Sequence, residues 1–258
     1  MNKSCQPPPM LIFAITMLVA LPTASHAQVN VNVLMSGGFS AAYQELLPEF
    51  QNNTGITVTT ARGASQGDGP NTIGAQLRRG VPADVVIMSR GGLAELFAEG
   101  RIVTGSDVDL ARVPLGIGVR AGAQRPDIST VEAFKQALLR AKSIGSQSSS
   151  TIYMTTKLFP QLGISSEMAG KLSNAGPVNV ASGEVEMVVA PVSEILPVAG
   201  LDFVGTIPTE IQFVQTFAAA VVKGTKEPEA SKRLIAFLAS NEATHTIEKT
   251  GMKRPGGR

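Results

Sequence analysis

Short apolar segments alternate with amphipathic segments along residues 28–258, and this alternation restricts the fold more than any other feature of the chain. Residues 29–35 alternate apolar and polar side chains and then become wholly apolar, as a strand entering a buried sheet does. Residues 40–52 carry apolar side chains at helical spacing and stop before Gly55. Because strands that alternate with helices form largely parallel sheets covered on both faces, the sequence predicts an α/β fold.

The same pattern continues toward the C-terminus. Further strands are predicted over residues 56–60, 84–88, 113–119, 143–147, 187–190 and 213–222. Further helices are predicted over residues 72–79, 93–99, 130–141, 153–162, 166–173, 228–238 and 246–249. The chain has no internal repeat and no Pro-rich or Ser-rich linker. If it forms two lobes, strands rather than a flexible tether are expected to connect them.

Residues 1–27 have the composition of a secretory signal peptide. Lys3 precedes an apolar run over residues 10–21, and Ala-Ser-His-Ala at residues 24–27 predicts cleavage after Ala27. The run is about half of the ~20 residues that a membrane-spanning helix needs, so a retained anchor is the less favoured alternative. Cys5 lies before the run and not at its end, which argues against a lipid anchor. The mature chain is therefore predicted to work outside the cytoplasm.

Composition argues against several classes of function. Residues 28–258 contain no cysteine, which removes disulfides and thiol chemistry. The full chain has a formal net charge of +2, and Lys3 belongs to the predicted signal peptide, so the mature chain is almost neutral. It has no basic block, no Trp and two Tyr. Nucleic acid and anionic membranes are therefore not expected as partners.

Three hydroxyl-rich turns are candidate anion sites. They follow predicted strands at residues 36–39, 62–65 and 148–151. Free backbone amides at a helix N-terminus attract anions, and small residues allow a ligand to approach closely. In open α/β sheets such turns gather at the carboxyl ends of the strands. For one turn alone, helix capping by Ser and Gly is the simpler explanation, but three together favour a binding site.

Two arginines are placed where they could bind an anion. Arg62 and Arg90 each follow directly on a predicted buried strand. A guanidinium group at that position suits a carboxylate or a phosphate. For each of them, an ordinary surface position is the alternative interpretation.

A secreted serine hydrolase is the alternative of another class. Residues 63–67 read Gly-Ala-Ser-Gln-Gly, which matches the G-x-S-x-G pattern around a nucleophile, here Ser65. The Gly-Asp-Gly-Pro run that follows breaks the helix such a nucleophile needs, and His245 is the one histidine of the mature chain. Three scattered acidic residues are expected to be structural or exposed, namely Asp68, Asp84 and Glu194. The sequence therefore predicts no enzymatic activity, no metal and no cofactor.

Several segments, in their order along the chain, resemble one family. Residues 50–58 (FQNNTGITV) are similar to F-x-x-x-T-G-I-x-V, and residues 76–87 (QLRRGVPADVVI) resemble Q-I-x-x-G-x-P-A-D-V-x-I. The Ser-Gly-Gly turn at residue 36 and the segments 182–186 and 236–252 occupy the expected places. The family is that of the extracytoplasmic solute-binding proteins of ABC transporters, in the group similar to the periplasmic molybdate-binding protein.

The resemblance implies a two-lobed, type II periplasmic-binding-protein fold. Each lobe would be a mostly parallel sheet flanked by helices, with residues 28–112 and 214–258 in lobe 1 and residues 113–213 in lobe 2. Hinge strands would join the lobes, and the ligand would lie in the cleft between them. The protein would be a monomer that delivers a small anion to a permease in the inner membrane.

The resemblance also implies site residues. Ser36 and Ser65 match the lobe 1 hydroxyls that hold the oxyanion in molybdate binders, and residues 149–151 match the lobe 2 turn that contributes amides. Residues 190–193 replace a segment in which the molybdate group usually has a tyrosine, and residues 172–184 form a shorter segment than usual. The predicted ligand-binding residues are Ser36, Gly37, Gly38, Phe39, Arg62, Gly63, Ala64, Ser65, Arg90, Ser148, Ser149, Ser150, Thr151, Val192 and Ser193.

The arginines change the expected ligand. Molybdate and tungstate sites of the family are generally neutral, whereas Arg62 and Arg90 stand where that group has small or polar residues. We therefore expect an organic di- or tricarboxylate, with molybdate or tungstate as the alternative. A sensor or a secondary transporter is the alternative to a permease as the partner.

Overall fold

The computed structural model describes residue 1 and residues 28–256. The predicted signal peptide and its cleavage position therefore lie outside the described residues, apart from Met1. In the part of the chain that the structure describes, no helix is long and apolar enough to cross a membrane.

The chain alternates strands and helices as the sequence predicted. The strands are β1 (Asn30–Met35), β2 (Thr57–Arg62), β3 (Val85–Ser89), β4 (Val108–Arg120), β5 (Ile144–Gly145), β6 (Leu172–Ser173), β7 (Met187–Pro191), β8 (Leu201–Thr206) and β9 (Val214–Val221). The helices are α1 (Ser40–Thr54), α2 (Ile73–Arg78), α3 (Arg90–Ala98), α4 (Val131–Arg140), α5 (Ser148–Tyr153), α6 (Phe159–Leu162), α7 (Ser165–Met168), α8 (Pro177–Ala181), α9 (Val192–Ile195), α10 (Pro228–Ala239) and α11 (Thr244–Lys249).

Two halves of one long strand connect two sheets. The strand order is β2-β1-β3-β9-β4-β7-β5-β6, with β8 also paired to β4. The first half of β4, up to Pro114, pairs with β9, and the second half, from Leu115, pairs with β7. β1 is parallel to β2 and β3, and β5 is parallel to β6 and β7, whereas the ladders of β4 and β9 are antiparallel. β4 thus carries the chain into the second sheet, and β9 forms the return into the first.

Each sheet buries both faces, which explains the apolar strands. In β1, Val31, Val33 and Met35 pack in the cluster that includes α1 and α10, whereas Leu34 packs on the other side with residues of α2 and α3. The second sheet is covered likewise by two clusters, one around Phe134 of α4 and one around α8 and α9. Burying a side chain of this size stabilises the fold by roughly 1.5–3 kcal/mol.

The hydrophobic clusters divide the molecule into two lobes. Val113 packs with the first sheet and Leu115 with the second. We use lobe 1 for residues 28–112 and 214–256 and lobe 2 for residues 113–213 as proposed boundaries, although Val113 itself still packs with the first sheet. β4 and β9 cross between the two lobes at this division and are the hinge strands.

Some local predictions were wrong. The helix predicted over residues 166–173 ends at Met168, and Leu172–Ser173 forms a strand beside β5. Gly170 weakens the helix there, and pairing with Ile144 and Gly145 gives the backbone other hydrogen-bond partners. The predicted helix over residues 153–162 is interrupted by a π-helical turn, Met154–Leu158. β8 was not predicted, because its residues do not alternate cleanly.

Candidate functional site

A cleft of about 710 Å³ lies between the lobes. This volume is within the range of roughly 300–1,000 Å³ that is typical of small-molecule sites. All three predicted turns contribute to its lining. The predicted residues that line it are Ser36, Gly37, Arg62, Gly63, Ala64, Ser65, Ser148, Ser149, Ser150 and Thr151.

The turn after β1 presents an unpaired hydroxyl to the cleft. The backbone N–H of Ser36 donates to the carbonyl of Ile87 at 2.9 Å, which fixes the turn to β3. The side chain of Ser36 is only 4% exposed, and its Oγ has no hydrogen-bond partner among the described residues. An unpaired buried hydroxyl is destabilising unless a ligand or water satisfies it.

The turn after β2 holds Arg62 and Ser65 at the cleft. Gln76 Nε2 donates to the carbonyl of Arg62 at 2.9 Å, and Gly63 is required because a Cβ there would lie 2.5 Å from Gln76 Nε2. Ser65 Oγ accepts a hydrogen bond of 2.9 Å from the backbone N–H of Ser89. In residues 28–256 the Arg62 guanidinium forms no hydrogen bond and no ion pair, so it is available to an anion.

The start of α5 closes the cleft from lobe 2. Ser148 has a positive φ of 54°, a conformation that costs a non-glycine residue about 1 kcal/mol or more. Its Oγ accepts a hydrogen bond of 3.0 Å from the backbone N–H of Gln66, and Ser149 Oγ donates to Gln66 Oε1 at 2.7 Å. Ser149 Oγ also lies 2.9 Å from Ser89 Oγ. These bonds connect lobe 2 to lobe 1, so the structure is a closed form.

Two further hydroxyl groups, those of Ser150 and Thr151, complete the lobe 2 side. Ser150 Oγ accepts from Gln215 Nε2 at 3.3 Å and so ties α5 to the hinge strand β9. Thr151 Oγ1 is buried and, like Ser36 Oγ, has no hydrogen-bond partner in the described part of the chain. The cleft therefore has one unsatisfied hydroxyl on each side.

Glu194 places a carboxyl group in the cleft and was not among the residues predicted to bind the ligand. It lies on α9, directly after the buried strand β7, and lines the cleft beside Arg62. A Cβ at Gly37 would lie 3.1 Å from Glu194 Oε1, so the carboxyl group faces the turn after β1. Burial raises the pKa of Glu194 to about 7, and the positive charge of Arg62 acts in the opposite direction. Near neutral pH the group is thus populated in both protonation states.

The same signal that identified Arg62 could have identified Glu194. Arg62 is the last residue of the largely exposed edge strand β2, and Glu194 follows the buried strand β7, so both lie at carboxyl ends of strands, where the cleft forms. The prediction that Glu194 is structural or exposed is therefore corrected. Asp84 is structural as expected, since it accepts hydrogen bonds from Asn32 and Thr225. Asp68 lies at the cleft in an exposed position.

Arg90 does not reach the cleft. It begins α3, and its guanidinium forms ion pairs with Asp107 and Asp109 near the start of β4. It does not line the cleft, and two carboxylates already satisfy its charge. We therefore correct the prediction that Arg90 contacts the ligand.

Four other predicted residues pack beneath the residues that line the cleft. Gly38 has no room for a side chain, because a Cβ would lie 2.0 Å from the ring of Phe217. Phe39 and Val192 are buried in the lobe 1 cluster. Ser193 Oγ donates to the carbonyl of Gly38 at 2.6 Å and so joins α9 to lobe 1. None of the four lines the cleft, and their contacts position its walls.

The geometry does not support a serine hydrolase. Ser65 is followed by irregular backbone, and α2 starts only at Ile73. His245 is exposed on α11 and does not line the cleft. Ser65 Oγ therefore has no histidine base in the described structure. Among the described residues, no group of three or more His, Cys, Asp or Glu side chains is placed to hold a metal ion.

The two lobes, hinge strands and interlobe cleft define a periplasmic-binding-protein fold. The family model described as bacterial extracellular solute-binding protein matches residues 31–253, and the chain belongs to this family. An aconitate isomerase from Pseudomonas sp. is 36% identical over 251 residues, which cover 95% of this chain and 96% of the relative.

Solved structures show the same fold. The periplasmic molybdate-binding protein of Azotobacter vinelandii is 18% identical, with a TM-score of 0.72 over 87% of this chain and 99% of the other. The L-phospholactate-bound form of PEB3, a protein of Campylobacter jejuni, is 18% identical, with a TM-score of 0.62 over 87% of this chain and 100% of the other. The predicted family and fold are thus confirmed.

Proposed function

We propose that this protein binds a small organic tricarboxylate of the aconitate class in its interlobe cleft. The observation that carries the proposal is the free guanidinium of Arg62, which lies in the same cleft as the buried, unpaired hydroxyl of Ser36. An arginine fork binds a carboxylate through two parallel hydrogen bonds. A second carboxylate oxygen would satisfy the Ser36 hydroxyl, and leaving such a group unpaired costs roughly 1–3 kcal/mol.

The lobe 2 side offers a third contact. Thr151 Oγ1 is buried without a partner in the described structure, and it lies in the first turns of α5 on the opposite wall. A ligand with three carboxylates can reach hydroxyls on both walls and the guanidinium at once. Such a ligand would also hold the lobes together, which is consistent with the closed form.

The cleft favours an organic anion over molybdate. Its volume of about 710 Å³ exceeds what one tetrahedral oxyanion needs. The 36% identical relative is named for aconitate, and PEB3 shows that an organic anion can be bound by this fold.

Capture is proposed to take place in the periplasm. Residues 1–27 would direct export and be removed after Ala27. The protein would act as a monomer and deliver its ligand to an ABC permease in the inner membrane. A sensor or secondary transporter is the alternative recipient, and the genes beside this one would distinguish them by whether they encode a permease and an ATPase.

Calorimetric titration tests the proposed ligand class. The purified protein is titrated with trans-aconitate, cis-aconitate, citrate and tricarballylate, and separately with molybdate, tungstate and sulfate. We expect micromolar or tighter binding of at least one tricarboxylate and no heat from the oxyanions. Tight binding of molybdate without any carboxylate response would overturn the proposal.

Isomerisation of the bound tricarboxylate is a second candidate function. The observation that favours it is the 36% identity to an aconitate isomerase over nearly the full length of both chains. Proton NMR distinguishes cis-aconitate from trans-aconitate and would follow their interconversion. Conversion from both isomers toward one common mixture would establish the activity. No conversion, even with as much protein as aconitate, would mean that the protein binds its ligand without isomerising it.

A further inference from the structure

Glu194 is a carboxyl group with no structural partner. It is largely surrounded by protein, yet in residues 28–256 it forms no hydrogen bond and no ion pair. A carboxylate in such a place is destabilising unless a ligand or a proton compensates it. Its position is nevertheless well fixed, because Val192 is buried in lobe 1 and Ser193 bonds to Gly38. Burial of the Glu194 carboxylate is unfavourable, and yet the residue is fixed at a ligand cleft. This combination indicates a role in binding or converting the ligand.

We propose that Glu194 moves a proton between two carbon atoms of the bound tricarboxylate, an inference that rests on the proposed binding of such a ligand. In an aconitate-type ligand, one CH₂ carbon lies between a carboxylate and a carbon–carbon double bond. The Glu194 carboxylate removes a proton from this carbon. The C–H electron pair enters the neighbouring π system, and the negative charge spreads over the allylic carbons and the attached carboxylate.

The same group completes the reaction. The protonated Glu194 returns its proton to the far end of the allylic system, and the double bond shifts by one position. The former CH₂ carbon becomes the CH of the new double bond and the former CH of the double bond becomes CH₂, so the product is again an aconitate, of either double-bond geometry. Nothing is oxidised or reduced, and no second reactant is needed.

The surroundings of Glu194 fit this transfer. Gly37 leaves open the space in front of Oε1, since a Cβ at that position would lie only 3.1 Å away. Arg62 is the cation of the cleft and would stabilise the charge that develops on the ligand. The other charged side chain that lines the cleft in the described structure is Asp68, which is exposed.

The pKa of Glu194 suits this role. Burial raises the pKa of Glu194 to about 7, against the opposing charge of Arg62. A group that both accepts and donates a proton works best when its pKa lies near the working pH. An ordinary exposed glutamate would be almost wholly ionised there and would return the proton poorly.

Hydrogen–deuterium exchange tests the inference. The purified protein is incubated with trans-aconitate in D₂O, and proton NMR follows both the formation of cis-aconitate and the loss of the ligand's C–H signals, because a proton that Glu194 returns directly shows only in the first. We expect formation of cis-aconitate with the wild type and a rate at least about 100-fold lower with Glu194→Gln, the scale of general acid–base catalysis. Glu194→Asp should restore part of the rate. The matched control is Glu210→Gln, at an exposed position away from the cleft.

Binding measured on the same samples separates the two proposals. Calorimetry should show trans-aconitate binding to Glu194→Gln with an affinity within about tenfold of the wild type. Binding with neither isomerisation nor exchange in the wild type, or equal rates in Glu194→Gln, would overturn the role of Glu194 and leave the binding proposal standing. No binding of any tricarboxylate by the wild type would overturn both.

Discussion

The side-chain hydroxyl of Ser149 in lobe 2 donates a hydrogen bond of 2.7 Å to Oε1 of Gln66 in lobe 1. Ser149 Oγ also contacts Ser89 Oγ at 2.9 Å, so this hydroxyl bonds twice across the cleft. Direct contacts between the lobes thus contribute to closure of the cleft.

Loss of this hydroxyl should favour the open form. Ser149→Ala removes two interlobe hydrogen bonds, each contributing about 0.5–1.5 kcal/mol. We expect a larger radius of gyration in small-angle X-ray scattering without ligand, and weaker tricarboxylate binding. Ser166→Ala, at an exposed position on α7, is the control and should change neither quantity. An unchanged radius and affinity for Ser149→Ala would show that closure does not depend on these contacts.

Arg62 should account for much of the ligand affinity. Arg62→Ala removes a charge-assisted pair worth about 1.5–3 kcal/mol, so the dissociation constant should rise roughly 10-fold to 150-fold in calorimetry. Arg90→Ala is the matched control, because its ion pairs with Asp107 and Asp109 lie outside the cleft. Equal losses of affinity in the two variants would contradict the placement of the ligand.

The fold was predictable from the sequence to a large extent because its signals are local. Apolar alternation marked β1, and small residues marked the turns at residues 36–39, 62–65 and 148–151, all of which reach the cleft. The short strands β6 and β8 were missed because they depend on pairing with β5 and β4. Their own residues carry little pattern.

The site was predictable only in part because distant residues decide which side chains are free. Arg62 and Arg90 look alike in the sequence, but Asp107 and Asp109 hold only Arg90. Glu194 follows the strand predicted over residues 187–190 in a segment for which no helix was predicted, and contacts between α9 and lobe 1 place it in the cleft.

The raised pKa of Glu194 predicts a pH-dependent stability difference. The carboxyl group has a pKa of about 7 in the folded chain and its ordinary value of 4.5 when unfolded. Between these values the folded state binds more protons, so the free energy of unfolding falls as the pH rises. Without ligand, Glu194→Gln should therefore be more stable than the wild type at pH 8, by about 1–3 kcal/mol, since one pKa unit corresponds to about 1.4 kcal/mol.

Urea unfolding at several pH values measures this difference. The gap between Glu194→Gln and the wild type should be small near pH 4.5 and should grow until about pH 7. Glu210→Gln should show no such pH-dependent gap. A constant gap between pH 4.5 and pH 8 would mean that burial does not perturb Glu194.

A side chain at residue 37 should interfere with ligand binding. A Cβ at residue 37 would lie 3.1 Å from Glu194 Oε1 and would enter the cleft. We expect Gly37→Ala to fold, to lower tricarboxylate affinity at least about tenfold and to slow any deuterium exchange. Gly170→Ala is the control, since a Cβ there meets no atom within 4 Å. Wild-type affinity in Gly37→Ala would place the ligand elsewhere in the cleft.

A crystal structure of the protein grown with trans-aconitate would show whether Arg62 and Ser36 bind the ligand. We expect one carboxylate paired with the Arg62 guanidinium and a second accepting a hydrogen bond from Ser36 Oγ. A carbon of the ligand should lie within contact of the Glu194 carboxyl group. A ligand bound outside the cleft, or bound inside it without contact to Arg62, would refute the proposed binding mode.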